Sequence, residues 1–267
     1  MEGLPLIKEK NKFKDGLKNM EYNSIAKIGE EDKSSPFAVA RIIDQTFLKK
    51  EAAEEEVKGV AQEAGEYGFR AFCILPEHTK ISKEVLKDSG VKVTTLIDAP
   101  TGTSSHLERL GMVEGAREAG SDEIELVMKI DDFKNKKYEE VASDLKGLCA
   151  ILPTKVIIGS GYLTDEEIKR ASQMVEEAGA ICVKTATVDD PLDNTELKEK
   201  AKHIKIMKEA VKSILVKASG AIRNLDDVKV MLSSGADIIG TSSGVKIVEE
   251  SRGQKDGAEK EARRKTE

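Results

Sequence analysis

The sequence predicts an α/β protein folded as a (β/α)8 TIM barrel. Eight short apolar runs rich in β-branched residues alternate with helix-like stretches, and they recur at intervals of roughly 30 residues, the length of one βα unit. Such runs are typical of parallel strands covered by helices, and eight of them suit a closed barrel. An open, doubly wound sheet is the alternative. A glycine-rich dinucleotide fingerprint after the first strand would favour it, but the segment IIDQTFLKKEA has no glycine.

The predicted strands are short and mostly apolar, as expected of strands that are buried on both faces. In chain order they are residues 41–44, 71–75, 92–97, 123–128, 155–159, 181–185, 214–218 and 237–241. The intervening segments show helical signals. Residues 52–68 have apolar side chains near helical spacing and end in glycine. Residues 164–179 open with Thr164 as a potential N-cap and an acidic first turn, and residues 224–235 repeat the scheme.

Composition excludes several classes of protein. The formal net charge of -6 argues against a nucleic-acid partner. No apolar stretch is long enough to span a membrane, and the polar N-terminal segment lacks the apolar core of a signal peptide. The three cysteines are widely separated and show no metal-ligand spacing, which indicates reduced thiols and no bound metal. We therefore expect a cytoplasmic protein with no membrane partner.

The two ends of the chain differ from its centre. Residues 1–35 carry scattered charge and little periodicity, so we expect an N-terminal extension that is partly disordered or lies on the surface. Residues 252–267 contain no large apolar side chain and are expected to form a charged tail. The barrel itself is predicted to occupy residues 36–251.

Two lysines stand at the ends of strand runs. Lys184 follows Cys182-Val183, and Lys217 follows Leu215-Val216. The active site of a (β/α)8 barrel lies at the carboxyl ends of its strands, and neighbouring strands are about 4.8 Å apart, so the two amines are expected to meet. Mutual repulsion and burial lower the pKa of an amine, and a neutral amine forms a Schiff base with a carbonyl compound. The pair of lysines predicts a class I aldolase. A single lysine at a strand end would be explained more simply as a side chain that extends its amine into water.

The loops after the last two strands resemble phosphate sites. The segment GTSSG (240–244) and the pair Ser219-Gly220 each precede a predicted helix start, where backbone N–H groups are free to bind an anion. Loops after strands seven and eight are the usual phosphate position in this fold. An ordinary helix cap explains either loop alone, and the two together favour phosphate.

At these residues the chain resembles the deoxyribose-phosphate aldolase family. The similarity covers residues 38–250 and rests on VKTATV, VKASGAIR, GADIIGTSSGV and YLTDEEIKRASQMVEEAGA, with weaker matches at IDQTFLK, GFRAFCILP and AGSDEIELVMKI. The resemblance implies a (β/α)8 barrel with no metal or organic cofactor, and a homo-oligomer. The implied reaction is the reversible cleavage of 2-deoxy-D-ribose 5-phosphate to D-glyceraldehyde 3-phosphate and acetaldehyde, so the implied partner is a phosphorylated sugar.

The resemblance also implies roles for individual residues. Lys184 is the implied Schiff-base nucleophile, Lys217 the neighbour that lowers its pKa, and Glu125 the proton shuttle, assisted by water. The implied substrate- and phosphate-binding residues are Asp44, Thr46, Thr185, Gly220, Ala221, Ser242 and Ser243.

Several positions depart from the family pattern. The strand-four acid is usually aspartate, so Glu125 is longer by one methylene, and a displacement of about 1 Å can cost about 10²-fold in rate. An alanine in a phosphate loop is strained where φ is positive, and acids near the mouth oppose a phosphate. The other altered positions are Gln45, Asp98, Ala99, Gly159, Ala221 and Asp189.

These departures leave three functions open: a divergent deoxyribose-phosphate aldolase, a related Schiff-base aldolase acting on another sugar phosphate, and a non-catalytic barrel that binds a metabolite or partner. Retention of both lysines speaks against the third, because an idle pair of partly buried amines only costs stability.

Overall fold

The predicted (β/α)8 barrel is confirmed by a computed structural model, which describes residues 36–253. All neighbouring strands are parallel and follow one another in chain order, and β8 pairs with β1 to close the barrel. The predicted extension at residues 1–35 lies outside the described residues, as does the predicted tail at residues 252–267 from residue 254 onwards. Arg252 and Gly253 belong to the last helix.

The observed strands match the eight predicted runs to within a few residues. They are β1 Ile43–Phe47, β2 Ala71–Ile74, β3 Lys92–Ile97, β4 Glu123–Val127, β5 Thr154–Ile157, β6 Cys182–Lys184, β7 Leu215–Ser219 and β8 Ile238–Thr241. The largest difference is in β1, which extends beyond the predicted run to Phe47. The strand continues there because residues 45–47 pair with residues 72–74 of β2.

The helices cover the outside of the barrel. They are α1 Pro36–Ala40, α2 Glu54–Tyr67, α3 Thr79–Leu86, α4 His106–Glu118, α5 Ile130–Lys134, α6 Tyr138–Cys149, α7 Asp165–Glu177, α8 Leu197–Ala210 and α9 Leu225–Ser233, followed by a last helix, α10, at residues 244–253. Predicted signals are present at their ends. Thr164 and Glu167 form a capping box that starts α7, and Gly68, with φ 65°, ends α2. Among the described residues no helix is long and apolar enough to cross a membrane.

The barrel interior is built in layers, because alternate residues of each strand point inward. Cys182, Leu215 and Ile238 form an apolar floor. Two residues further along these strands, a polar layer begins. Its charged side chains, which we call the buried charge cluster, are Asp44, Arg70, Glu123, Glu125, Lys155, Lys184 and Lys217. On the side of β2 to β5 the cluster is bordered by an apolar wall of Cys73, Leu96, Val127, Ile130 and Ile157.

Candidate active site

The two predicted lysines meet at the carboxyl end of the barrel. Lys184 of β6 and Lys217 of β7 are direct partners in the strand register, so both side chains point into the interior. Their amines are joined by one carboxylate. Glu125 Oε2 lies 2.6 Å from Lys184 Nζ, and Glu125 Oε1 lies 2.5 Å from Lys217 Nζ. The structure thus brings together the three residues that the sequence nominated for catalysis.

Glu125 is held as a carboxylate. Burial raises its pKa, but the ammonium groups of Lys184 and Lys217 outweigh burial and hold the pKa of Glu125 well below its usual range. The longer glutamate side chain, compared with the aspartate usual in the family, reaches both amines from β4.

The pKa of Lys184 differs from the sequence prediction. Burial lowers it, as expected, but the carboxylate of Glu125 raises it, and the net result is a pKa above the ordinary lysine value. The prediction of a net lowering of this pKa is wrong for the free barrel, because the attraction of Glu125 outweighs burial and the neighbouring positive charges. The resting amine is therefore an ammonium whose proton can pass directly to Glu125.

Lys184 is also the least enclosed lysine of the cluster. It is 3% exposed, whereas Lys155 and Lys217 are 0% exposed. Lys184 forms an ion pair with one carboxylate, Glu125, whereas Lys217 pairs with both Asp44 and Glu125. Of the three amines, Lys184 is the one that substrate can approach and that loses the fewest ionic contacts on becoming neutral.

Lys155 is a member of the cluster that sequence reasoning missed. Its fully buried amine donates to Asp44 at 2.8 Å, to Glu123 at 2.7 Å and to the Thr94 hydroxyl at 3.1 Å. Arg70 completes this lower part of the cluster by pairing with Asp44 and Glu123. The available signal was a lysine in the otherwise apolar run KVIIG, at the position that pairs with Glu125 in the register.

The charges of the cluster do not balance. Arg70, Lys155, Lys184 and Lys217 supply four positive charges, and Asp44, Glu123 and Glu125 supply three negative charges, so one positive charge is in excess. Loss of a single proton from one amine makes the buried cluster neutral. This imbalance favours the formation of one neutral amine in an otherwise charged interior.

We expect Lys155→Met to destabilise the barrel by about 3–5 kcal/mol, because it leaves Asp44 and Glu123 short of a buried partner. Equilibrium denaturation in urea measures this loss. The matched control is Lys208→Met, which breaks a 2.8 Å ion pair with Asp237 on the partly exposed outer layer and is expected to cost less than about 1 kcal/mol. Equal losses of unfolding free energy in the two variants would show that the buried contacts of Lys155 contribute no more to stability than the outer ion pair of Lys208.

Asp44 and Thr46, the predicted substrate-binding residues of β1, lie at different depths in the barrel. Asp44 lies beneath the catalytic lysines and is 0% exposed, because Lys155 and Lys217 both donate to it. It therefore holds the lysines and does not face the mouth. Thr46 is two residues further along β1, on the same face and half-buried, which places it nearer the mouth.

The Thr185 hydroxyl is engaged between β6 and β7. Its hydroxyl donates to the Ser219 carbonyl at 2.8 Å and accepts the Ser219 N–H at 2.9 Å, so it ties the end of β6 to β7. The prediction that Thr185 binds substrate is therefore not supported by its position. Thr187, two residues further along, was missed by the sequence argument. Its hydroxyl oxygen is buried and has no hydrogen-bond partner in the described part of the protein.

The predicted phosphate loops lie side by side after β7 and β8. Within residues 36–253 the backbone N–H groups of Gly220, Ala221 and Ser242 form no hydrogen bond, whereas that of Ser243 is bound by the Thr241 hydroxyl at 2.9 Å. Ala221 adopts φ 50°, so alanine here accepts the left-handed conformation that a glycine would take without strain. We call the three free amides the amide cradle.

Gln45 explains one departure from the family pattern. Its side-chain oxygen accepts the N–H of Gly244 at 3.0 Å, at the start of α10, and its amide nitrogen lies 3.4 Å from the Ser242 carbonyl. A side chain at Gly244 would collide with Gln45 and Phe69. Gln45 therefore fixes the loop after β8 and with it one side of the amide cradle.

Three other departures lie in the loops after β5 and β3. Gly159 has φ 65°, a conformation that favours glycine, and a β-carbon there would displace the side chain of Ile130. Asp98 accepts the N–H and hydroxyl of Ser104 and lies beside the buried Arg109, which holds the loop after β3, and Ala99 is exposed in that loop. Asp98 is therefore engaged within the protein and not directed at a substrate.

The described residues contain one group of side chains able to ligate a metal: Asp165, Glu199 and His203. These residues belong to the outer helices α7 and α8. The ammonium of Lys202 lies 2.8 Å from Asp165 and 3.4 Å from Glu199, so a cation already occupies this group. Its residues belong neither to the charge cluster nor to the amide cradle.

Comparison with known proteins identifies close similarities over the whole barrel. Residues 38–250 match the DeoC/LacD family aldolases. The deoxyribose-phosphate aldolase of Staphylococcus carnosus is 38% identical over 222 residues, which is 79% of this chain and 95% of that protein. The deoxyribose-phosphate aldolase of Thermococcus kodakarensis is 38% identical over 219 residues, or 79% of this chain and 96% of that protein.

Solved structures of aldolases superpose on this barrel. An aldolase named QR15 superposes with a TM-score of 0.74 at 35% identity, covering 79% of this chain and 95% of the other. The deoxyribose phosphate aldolase of Aeropyrum pernix, described as a unique tetramer, superposes with a TM-score of 0.74 at 30% identity, covering 84% of this chain and 95% of the other.

Proposed function

The chain belongs to the DeoC/LacD aldolase family, and from that premise we propose that it is an aldehyde-lyase that reversibly cleaves 2-deoxy-D-ribose 5-phosphate to D-glyceraldehyde 3-phosphate and acetaldehyde. Lys184 forms the Schiff base, Glu125 carries protons, and Lys217 holds Glu125 in place. The observation that carries this assignment is the single carboxylate of Glu125 bound between two amines, of which Lys184 is the less enclosed.

The first step makes Lys184 a nucleophile. Its ammonium passes a proton to Glu125, whose Oε2 is 2.6 Å away, and the neutral amine attacks the carbonyl carbon of the open-chain sugar. Proton return to the resulting hydroxyl group allows water to leave, and an iminium ion forms. The cation of Lys217 remains bound to the other oxygen of Glu125, so the carboxyl group keeps its position during the transfer.

The second step breaks the bond between C2 and C3 of the sugar. A base removes the proton of the C3 hydroxyl, the C2–C3 electrons move towards the iminium nitrogen, and D-glyceraldehyde 3-phosphate leaves. The enamine that remains on Lys184 takes a proton at C2, and water then hydrolyses the imine to release acetaldehyde. We assign both proton transfers to Glu125 acting through a water molecule, because it is the carboxylate bound to the Lys184 amine.

Two regions of the site suit the two ends of the proposed substrate: the apolar wall suits the aldehyde end, and the amide cradle suits the phosphate end. The apolar wall borders the reactive amine, since Ile157 pairs with Lys184 in the register and Cys73 lies 3.3 Å from Glu125. A two-carbon fragment with a methyl group suits that surface. At the other end, the amide cradle offers N–H donors for a phosphate. Thr187 supplies a buried, unpartnered hydroxyl near the mouth for a sugar hydroxyl.

We further propose that the enzyme is a cytoplasmic homo-oligomer. The three cysteines are buried and free, as expected of a protein from a reducing compartment, and the relative from Aeropyrum pernix is described as tetrameric. The absence of a nucleic-acid partner remains a prediction from net charge.

The proposed function is tested with the unmodified protein. Incubation with acetaldehyde and sodium borohydride should add one reduced two-carbon adduct at Lys184, located by peptide mapping, and 2-deoxy-D-ribose 5-phosphate should yield acetaldehyde in a coupled assay. An adduct without cleavage of this sugar phosphate would assign the same chemistry to another substrate. A folded protein that shows neither reaction would contradict the aldolase assignment.

A further inference from the structure

The loop between β6 and α8 brings three acids to the mouth of the barrel. Asp189, Asp190 and Asp193 follow Lys184 closely, and residues 185–197 contain no lysine or arginine. The loop is anchored to the turn after β5. Asp190 accepts the N–H of Leu192 at 2.8 Å and that of Gly161, and the Tyr162 hydroxyl donates to the Asp189 carbonyl at 2.8 Å. These contacts hold the start of the short turn Pro191–Asn194, and the Asp193 N–H donates to the Asp190 carbonyl at 3.0 Å.

The exposed side chain of Asp193 reaches the amide cradle at Gly220. A β-carbon added at Gly220 would be 3.0 Å from Asp193 Oδ1, so the carboxylate lies beside the α-carbon of this cradle residue. Lys200 fastens the two loops together, because its amine donates to the Gly220 carbonyl at 2.9 Å and lies 3.4 Å from the Asp193 carbonyl. Within residues 36–253 the Asp193 carboxylate forms no hydrogen bond or ion pair.

We propose that Asp193 is a specificity-determining residue, whose carboxylate lies on the amide cradle and reduces the advantage of a phosphorylated substrate over an unphosphorylated one. The inference rests on the proposed function, since it concerns the phosphate end of the same substrate. A phosphate entering the cradle meets a fixed negative charge, whereas the terminal hydroxyl of an unphosphorylated deoxy sugar can donate a hydrogen bond to the same carboxylate.

The surrounding cations offset part of this charge. The buried ammonium of Lys200 acts on Asp193 and lies 2.9 Å from the Gly220 carbonyl. Arg223 also acts on Asp193, but both of these residues are exposed, so water screens their interaction. Loss of the Asp193 charge leaves both cations in place. The charge of Lys184 also acts on Asp193, which shows that the carboxylate lies within electrostatic reach of the reactive amine.

Binding of inorganic phosphate tests the inference without requiring catalysis. Titration calorimetry on the whole chain should show that Asp193→Asn lowers the Kd for phosphate by about 10-fold, the effect of removing one like charge next to the anion. Glu196→Gln is the matched control, because it makes the same charge change in the same loop, at an exposed residue whose side chain forms no hydrogen bond within residues 36–253. This control should change Kd by less than about 2-fold.

The activity assay adds a second readout. In Asp193→Asn the ratio of kcat/KM for 2-deoxy-D-ribose 5-phosphate to that for 2-deoxy-D-ribose should rise about 10-fold, mainly through a lower KM for the phosphorylated sugar. An unchanged Kd and ratio, or an equal gain in Glu196→Gln, would overturn the role of Asp193. A tighter Kd in a protein that cleaves neither sugar would instead contradict the proposed function and leave the contact between Asp193 and phosphate supported.

Discussion

Replacement of Lys184 by methionine is expected to abolish borohydride-trapped adducts at the active site and to lower kcat for aldol cleavage on the order of 10⁴-fold or more. The chemical reason is that no other amine of the buried charge cluster reaches the mouth, since Lys155 and Lys217 are 0% exposed. Methionine keeps the length of the side chain, and Glu125 keeps its contact with Lys217, so the fold is expected to survive. Intact mass after trapping, together with circular dichroism, measures both points.

Lys217→Met is the matched control for this experiment, because it removes the neighbouring amine on the partner strand. In that variant the adduct should still form at Lys184. Glu125 then loses one of its two bound cations, so its charge acts on Lys184 alone and the pKa of Lys184 rises further. The acid limb of the pH–rate profile should consequently move to higher pH. An adduct on Lys217 in the Lys184→Met protein would reverse the two roles, and an unshifted limb in Lys217→Met would leave Lys217 a structural residue.

The architecture and the two lysines of the site were predictable because both depend on local pattern. Apolar runs of strand length, separated by capped helices, predict parallel strands, and parallel strands bring their carboxyl ends to one edge. Lys184 and Lys217 each stand at such an end, so no knowledge of the packing was needed to place them together. Glu125 lies in the middle of β4 and was identified through the family resemblance.

The lower half of the charge cluster was not predictable in the same way, because its contacts join residues far apart in sequence. Lys155 and Asp44 are 111 positions apart and are bound across the barrel, not between neighbouring strands. The direction of the pKa shift of Lys184 was missed for a related reason. A pairwise argument between two amines omits the carboxylate from a third strand that lies between them. The contact of Asp193 with Gly220 depends likewise on the path of a loop, which strand periodicity does not determine.

Replacement of Glu125 by glutamine is expected to separate imine formation from proton transfer. Exchange of the methyl protons of acetaldehyde with deuterated water, measured by NMR, should slow by about 10²- to 10⁴-fold, because the carboxylate that moves the proton is lost. Imine formation should persist, and its acid limb should move to lower pH. Glu125 raises the pKa of Lys184, so loss of the Glu125 charge allows burial to lower that pKa. The amine is then neutral in more acidic solution, which moves the acid limb to lower pH.

Glu123→Gln provides the comparison that makes this result specific. Glu123 lies two residues before Glu125 on β4 and faces the same interior. Within the described residues it forms ion pairs with Lys155 and Arg70 but none with Lys184. The same chemical change there should lower stability while leaving proton exchange within several-fold of the unmodified enzyme. If the two variants slow exchange equally, the proton passes through the whole cluster. If neither slows it, a group nearer the mouth moves the proton, and Glu125 serves only to raise the pKa of Lys184.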